Sequence, residues 1–154
     1  MNIGILVYSY TGNTMNVAEK IKQKIESNGD TAAIERVTAI NGDPNGGQPI
    51  ELKDIPNIQK YDKLVVGAPI NGLSLCKAIK KYLNNHATFK NKEVNCFVTE
   101  HFKHSFMGGR QGIKQMLRII TSRGGSVQNT AIVHWSSPDR DAQIKAAAAA
   151  MAQI

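Results

Sequence analysis

Short apolar runs alternate with amphipathic stretches along most of this chain. Five runs rich in apolar and β-branched residues predict strands at Ile3–Tyr8, Ala32–Val37, Lys63–Ala68, Val94–Thr99 and Thr130–His134. Nearly every position in these runs is apolar, which is typical of strands buried on both faces, as in a parallel sheet. The pattern therefore favours a sheet that is covered on both sides.

The stretches between the runs have the spacing of helices, with apolar residues three and four positions apart. The predicted faces are Val17, Ala18, Ile21 and Ile25; Leu75, Ala78, Ile79, Tyr82 and Leu83; and Ile113, Met116, Leu117 and Ile120. Asn28-Gly29 and Gly124-Gly125 predict the ends of the first and third helices. A fourth helix is predicted from Ser137-Pro138-Asp139 through the alanine-rich stretch to Met151.

Residues 38–60 interrupt this alternation. The segment Asn41–Gly47 has the composition of a loop, and Pro49 and Pro56 exclude a long helix nearby. The second crossover is therefore predicted to be mostly irregular, with at most a short helix around Ile55–Gln59. Alternating strands and helices with right-handed crossovers predict a doubly wound, three-layer α/β sandwich. We expect one domain over residues 1–154.

The composition is that of a globular protein, with 42% hydrophobic and 20% charged residues among 154. The chain has no apolar run of membrane-spanning length and enters a strand at its start, so we expect no signal peptide, no membrane span and a cytoplasmic location. The net charge of +7 comes from residues 78–154, which hold eleven Lys and Arg but four Asp and Glu. No basic run with interleaved aromatics is present, so nucleic-acid binding is not expected.

The cysteines and histidines do not form a recognisable metal or redox pattern. Cys76 and Cys96 have no CxxC spacing, and both are expected to pack in the interior. A reactive thiol is the alternative for Cys76, which lies near the predicted site. His101 and His104 have no carboxylate or cysteine at a spacing that would complete a metal site. His86 and His134 are expected to be structural. We predict no metal and no side chain that performs acid–base catalysis.

The first predicted strand continues into Tyr8-Ser9-Tyr10-Thr11-Gly12-Asn13-Thr14 at the start of a helix. The first N–H groups of a helix and its dipole favour an anion. Ser9, Thr11 and Thr14 add hydroxyl groups, and Gly12 allows close approach of the backbone. Residues 9–14 contain no Lys or Arg, so neutral donors would hold the phosphate of a ligand.

Two more segments follow strands at the same predicted edge, where doubly wound folds bind ligands. Pro69–Ser74 and Glu100–Arg110 supply apolar side chains, aromatics and glycines, which suits a planar, phosphorylated ligand. The GxGxxG and GxxxxGK[ST] patterns are absent, which argues against dinucleotide and P-loop sites. A phosphatase loop would need Cys and Arg, and a receiver domain would need acidic strand ends, and neither is present. A mononucleotide site remains.

Ser9-Tyr10-Thr11-Gly12-Asn13-Thr14 matches the phosphate loop of the flavodoxin family, Thr/Ser-x-Thr-Gly-x-Thr, and the chain resembles that family along nearly its whole length. The resemblance implies a five-stranded parallel sheet of order 2-1-3-4-5 and FMN as the cofactor. It implies that Ser9, Tyr10, Thr11, Gly12, Asn13 and Thr14 form the phosphate loop. It also implies that the flavin ring is flanked by Pro69, Ile70, Asn71, Gly72 and Leu73 and by Thr99, Glu100, His101 and Phe102.

The function implied by the resemblance is electron transfer through FMN between redox partners. In the family a peptide near the flavin reorients on reduction, and Asn71-Gly72 is the candidate here because both residue types tolerate positive φ. An ordinary Asn-Gly turn is the alternative. Two other functions stay open. One is an FMN-dependent NAD(P)H or quinone reductase, and the other is a cofactor-free binding module.

The chain departs from the family pattern in its charge and its aromatics. Electron-carrying flavodoxins are typically acidic, whereas this chain is basic. The second loop offers Ile70 and Leu73 in place of a stacking aromatic, and Phe102 is either a ring neighbour or a core residue. Trp135 is expected to pack against a helix. His101, Lys103 and Arg110 would make the flavin edge cationic and attract an acidic substrate, NADPH or an acidic protein.

Overall fold

A computed structural model of the protein describes residues 1–41, 48–104 and 108–154. Strands and helices alternate as the hydrophobic pattern predicts, except in the middle of the chain, where three strands follow one another. In chain order the elements are β1 (Asn2–Val7), α1 (Asn13–Ser27), β2 (Thr31–Arg36), β3 (Lys63–Asn71), β4 (Ser74–Leu75), α2 (Lys77–Asn85), β5 (Glu93–Glu100), α3 (Gly109–Ser122), β6 (Ser126–His134) and α4 (Arg140–Met151).

The five long strands form a parallel sheet of order β2-β1-β3-β5-β6, and the short strand β4 pairs antiparallel with β3. Counting the parallel strands alone gives the order 2-1-3-4-5, so the predicted fold is confirmed. The register places Val7 beside Gly67, Pro69 beside Thr99, and Glu100 beside His134. The carboxyl ends of β1, β3 and β5 therefore meet at one edge of the sheet.

The sheet lies between two helical layers because its strands carry apolar side chains on both faces. Ile3, Ile5 and Val7 of β1 pack with α1 and α4, whereas Leu6 packs with the cluster that contains α2 and α3. Each of these four side chains is fully buried. Fully burying one such side chain contributes roughly 1.5–3 kcal/mol. Gly67 leaves room for the ring of Phe97, whose atoms would lie within 2.2 Å of an added Cβ.

The segment around residue 75 is the main departure from the predicted elements. Leu75 was expected on a helical face, but it lies in β4, and α2 begins at Lys77 after the buried Cys76. A strand of two residues is too short to show a hydrophobic periodicity, so only its pairing with β3 defines β4 as a strand. The strand predicted to begin at Thr130 in fact begins at Ser126. Its first residues alternate between exposed and half-buried positions and therefore lack the apolar run that marks a buried strand.

The second crossover is irregular where the structure describes it, at residues 37–41 and 48–62, and no helix forms at 55–59. An isolated bridge joins Ala39 to Leu52. Residues 42–47 of the predicted loop lie outside the described residues. Within the described ranges, no helix is both long enough and apolar enough to cross a membrane.

Candidate functional site

The turn after β1 presents backbone donors at the start of α1. Gly12 precedes the helix with a φ of 96°, a conformation that side-chain-bearing residues rarely adopt. The hydroxyl of the buried Ser9 accepts the N–H of Met15 at 3.2 Å and so closes the turn. Within the described part of the chain, the N–H groups of residues 11–14 donate to no other residue. Free N–H groups at the start of a helix, together with the helix dipole, favour an anion.

Two contacts hold this turn from outside. The hydroxyl of Thr14 lies 2.8 Å from that of Thr99 at the end of β5, and both residues are buried. Nη2 of Arg36, the last residue of β2, donates to the carbonyl oxygen of Ser9 at 3.3 Å. The Thr14 hydroxyl is therefore engaged inside the protein while its N–H remains available. Arg36 brings a positive charge to a turn that lacks one in its own sequence.

The second segment is a tight hairpin. Asn71 of β3 pairs with Ser74 of β4, so the turn is centred on Gly72-Leu73 and not on Asn71-Gly72. Gly72 has a φ of 61°, whereas Asn71 and Leu73 keep negative φ. These signs match a type II′ turn, which favours glycine at its first central position. Nδ2 of Asn71 is buried and has no hydrogen-bond partner among the described residues.

Helix α3 fixes the position of this hairpin. Oε1 of Gln115 accepts the N–H of Leu75 at 2.8 Å, and its Nε2 lies 3.0 Å from the Ser74 hydroxyl. Ile70 packs directly on the start of the helix, since a Cβ at Gly112 would lie 2.1 Å from Cδ1 of Ile70. A Cβ at Gly108 would lie 2.7 Å from Cγ2 of the same side chain. The two glycines let the hairpin approach the helix closely.

The third segment was predicted as Glu100–Arg110, of which residues 105–107 lie outside the described residues. Its first part is held by the residues that end β6. Trp135 N–H donates to the carbonyl oxygen of Glu100 at 2.7 Å, and the N–H and hydroxyl of Ser136 both donate to that of His101. Nδ1 of His134 lies 3.0 Å from the carbonyl oxygen of Phe102, which makes this nitrogen the donor. The expectation that His134 is structural agrees with this contact. The ring of Trp135 stacks with Arg140 of α4, which agrees with the expectation that Trp135 packs against a helix.

Glu100 carries a buried carboxylate at this site, with a side chain only 1% exposed. Its Oε1 lies 2.8 Å from Nδ1 of His134, but neither oxygen has a well-formed hydrogen bond to any described residue. The carboxylate faces the start of α3, where a Cβ at Gly109 would lie 2.7 Å from Oε1. Burial raises the pKa of Glu100, and His134 and the N–H of Gly109 oppose that rise only in part.

The three segments enclose a cavity of about 250 Å³ at the carboxyl edge of the sheet. It is lined by nine of the predicted residues: Tyr10, Thr11, Asn13, Pro69, Ile70, Asn71, Thr99, Glu100 and His101. Six others do not line it, namely Ser9, Gly12, Thr14, Gly72, Leu73 and Phe102. Phe102 is 43% exposed, so packing in the core is wrong for this residue. A larger groove of about 760 Å³ lies between α1 and α4, and none of the predicted site residues lines it.

The supporting residues Arg36, Gln115 and Ser136 were not identified from the sequence. Arg36 could have been found from its place at the end of the strand next to β1, but the other two have no sequence signal. The cysteines are both buried, and burial raises the pKa of Cys76 to about 12 and that of Cys96 further. Both thiols are therefore inert packing groups. No cluster of three or more metal-ligating side chains occurs within the described ranges.

A family model described as a flavodoxin domain matches residues 4–129 of this chain. A search of curated proteins found no match. The sequence segment that matches spans β1 to β6 and so includes all three segments around the cavity.

Solved structures with the same fold include several flavodoxins. The two-electron reduced flavodoxin of Megasphaera elsdenii is 19% identical, with a TM-score of 0.71 and 99% of each chain covered. Oxidised flavodoxin 2 of Bacillus cereus is 16% identical, with a TM-score of 0.70 and 99% of each chain covered. A flavoprotein of Lactobacillus acidophilus in complex with FMN is 19% identical, with a TM-score of 0.62 over 92% of this chain and 97% of the other. At these identities the likeness establishes the fold.

Proposed function

We propose that this chain, which belongs to the flavodoxin family, binds FMN in the cavity between its three edge segments and carries electrons between partner proteins in the cytoplasm. The observation that carries the proposal is the set of unused donors around this cavity. The N–H groups of residues 11–14 point to an anionic group, and the buried Nδ2 of Asn71 lacks an acceptor among the described residues. A buried donor such as Nδ2 of Asn71 is rarely left without an acceptor unless a ligand or water completes it.

The residues fit FMN in charge, and the cavity is large enough to hold part of it. The donors at the start of α1 would hold the phosphate, and the apolar surface of Pro69 and Ile70 would contact the ring. A cavity of about 250 Å³ lies below the roughly 300–1,000 Å³ typical of sites that enclose a ligand of this kind. FMN would therefore be enclosed only in part. A partly exposed cofactor edge suits exchange of electrons with another protein.

The division of roles between cofactor and protein follows from this arrangement. FMN, when bound, accepts and releases the electrons. The chain itself supplies binding through residues 11–14, orientation through the hairpin at 69–75, and a wall at Thr99–His101 that excludes water from one side. No side chain of the cavity is required to break or form a covalent bond.

Reconstitution with FMN tests this proposal. The purified apoprotein should quench the fluorescence of added FMN with a stoichiometry of one, and Asn71→Leu should weaken binding because it removes the buried donor. Asn84→Leu is the matched control, since Asn84 is exposed in α2. Absence of quenching by the wild-type protein would reject FMN as the cofactor.

An FMN-dependent NAD(P)H or quinone reductase is a second candidate, and one observation favours it. A second cavity of about 520 Å³ adjoins the third segment at Lys103, and Trp135, Arg140 and the acidic Asp141 also line it. Its two cations and its indole ring could receive an anionic nucleotide. Steady oxidation of NAD(P)H in the presence of a quinone would favour this reductase. Slow reaction with NAD(P)H, together with fast reduction by a flavoprotein reductase, would favour the carrier.

A further inference from the structure

Each of the three edge segments places one large apolar side chain in solvent beside the cavity. Tyr10 is 53% exposed, Leu73 is 64% exposed and Phe102 is 43% exposed. We call these three side chains the rim. They are half of the exposed large apolar residues found in the described part of the chain. Apolar side chains grouped around a site in this way indicate contact with another molecule.

A cation accompanies each member of the rim. Arg36 is bonded to the carbonyl oxygen of Ser9, next to Tyr10. Lys80 donates to the Ser74 hydroxyl at 3.3 Å, next to Leu73. Lys103 directly follows Phe102 and is exposed. Arg110, also exposed, begins α3 two residues after Gly108, which packs against Leu73.

Acidic residues are few in the stretches of sequence that form this edge. Residues 1–18 contain no Asp or Glu, and residues 63–138 contain only Glu93 and Glu100. Glu100 is buried, and Glu93 begins β5 at the opposite edge of the sheet, where it pairs with Lys63. Two acidic residues lie near the cations but outside the three segments. Asp54 accepts the hydroxyl of Thr38, two residues after Arg36, and Asp141 lines a groove together with Lys103. Among the described residues of the three segments, the exposed side chains are therefore apolar, neutral or cationic.

We propose that the rim and its cations, Arg36, Lys80, Lys103 and Arg110, form a docking surface for an acidic redox protein. This inference rests on the proposed function, because it names the class of protein that exchanges electrons at the cavity. Positive and negative surfaces attract each other during encounter and set the orientation of the complex. Exposed apolar side chains at the centre then lose contact with water when the partner binds.

The apolar rim is what favours a protein over other anions. A nucleic acid would satisfy the cations through its phosphates but would leave Leu73 and Phe102 in water, since the described residues form no groove of stacked rings with regularly spaced cations. A small nucleotide would contact one segment and not all three. A weak protein complex at the low end of interface size, below about 1,200 Å² in total, would cover the rim and still release quickly.

The test uses two redox proteins of opposite charge as probes, a plant-type ferredoxin that is acidic and a mitochondrial cytochrome c that is basic. The ¹⁵N-labelled chain is titrated with each probe at low salt and at about 0.15 M salt, where charges further apart than about 8 Å are screened. Lys103→Glu/Arg110→Glu reverses two charges next to the rim. Lys24→Glu/Lys90→Glu is the matched control, with two exposed cations at the opposite edge and the same change of net charge.

We expect ferredoxin to shift the amide signals of Tyr10, Leu73 and Phe102, and salt to weaken its binding. Lys103→Glu/Arg110→Glu should weaken ferredoxin binding by about tenfold, while the control changes it by less than about twofold. The proposal is overturned if the control weakens binding as much, if cytochrome c binds the wild type more tightly, or if the shifts lie elsewhere. Tighter binding of a single-stranded oligonucleotide at the rim would overturn the choice of a protein partner.

These outcomes are separate from those of the proposed function. Docking is read from amide signals of the chain with and without added FMN. FMN binding is read from fluorescence. A chain that binds ferredoxin at the rim but never binds FMN would reject the cofactor and keep the docking surface. A chain that binds FMN but does not bind ferredoxin would keep FMN as the cofactor and reject the docking surface.

Discussion

The side-chain hydroxyls of Thr14 and Thr99 lie 2.8 Å apart, although 85 residues separate them in the chain. This contact joins the first turn of α1 to the end of β5, and both residues are almost completely buried. It therefore ties the turn that presents the anion donors to the wall of the cavity. A buried hydroxyl without a partner costs about 1–3 kcal/mol.

The first prediction follows from that cost. Thr99→Val should reduce the free energy of unfolding by about 1–3 kcal/mol, because it leaves the Thr14 hydroxyl buried without its partner. Thr14→Val/Thr99→Val should lose less than the sum of the two single changes. Urea denaturation of the apoprotein measures both. Thr121→Val, at an exposed position of α3, is the control, and additive single changes would contradict the coupling.

The second prediction compares two glycines with the same conformation. Gly12 and Gly29 have φ of 96° and 98°, and a Cβ at either position would meet nothing within 4 Å. Alanine at either should therefore cost about 1–2 kcal/mol of stability through backbone strain alone. Only Gly12→Ala should also weaken FMN binding, since it perturbs the donors at the start of α1. Equal FMN affinity in the two variants would contradict the role given to this turn.

The third prediction concerns the hairpin turn. Gly72 has a φ of 61° in open space, so Gly72→Ala strains the turn without a clash. If the peptide before Gly72 changes orientation when FMN is reduced, about 1–2 kcal/mol of strain would differ between redox states. That corresponds to a shift of at most roughly 90 mV in a one-electron midpoint potential. Anaerobic redox titration measures the shift, with Gly29→Ala as control. Unchanged midpoint potentials would contradict a reorientation of this peptide and would favour an ordinary turn.

The fourth prediction is a pH dependence at Glu100. Burial raises its pKa above the ordinary value of 4.5, so the folded protein holds the proton more tightly than the unfolded chain. Stability relative to Glu100→Gln should be greatest below pH 4.5 and should be lost as pH rises through the raised pKa. Thermal unfolding at a series of pH values measures this difference.

The control for Glu100→Gln is Glu93→Gln, which removes a carboxylate from the exposed start of the same strand. The groups facing Glu100 are His134 from β6 and the N–H of Gly109 from α3, and both act against the rise in pKa. A wild-type curve that runs parallel to that of Glu100→Gln over the whole pH range would contradict the buried, proton-holding carboxyl.

The strands and helices could be predicted because their signals are local. Apolar runs and three-to-four-residue spacing locate β1, β3, β5 and all four helices to within a few residues, and the turn at Ser9–Thr14 is fixed by its neighbours in sequence. The hairpin at Gly72 is also partly local, since glycine is the residue that a type II′ turn requires. Its centre was displaced by one residue because strand register depends on β4, which is too short to carry a pattern.

The supports of the site could not be predicted for a different reason. Gln115 holds the hairpin from 40 residues away, and Ser136 holds His101 from 35 residues away. Such contacts depend on the register between elements and on side-chain direction, which no single stretch of sequence encodes. The pairing of Glu100 with His134 is similar, because it follows from the neighbouring positions of these residues in β5 and β6.

The contact between Ile70 and Gly112 links the shape of the cavity to a residue of α3 that does not line it. One side of Ile70 lines the cavity. The other side fills the space that a methyl group at position 112 would need. The two positions therefore share a single volume, and a larger residue in α3 would have to displace the hairpin. A substitution that never contacts the ligand could in this way change how tightly the ligand is held.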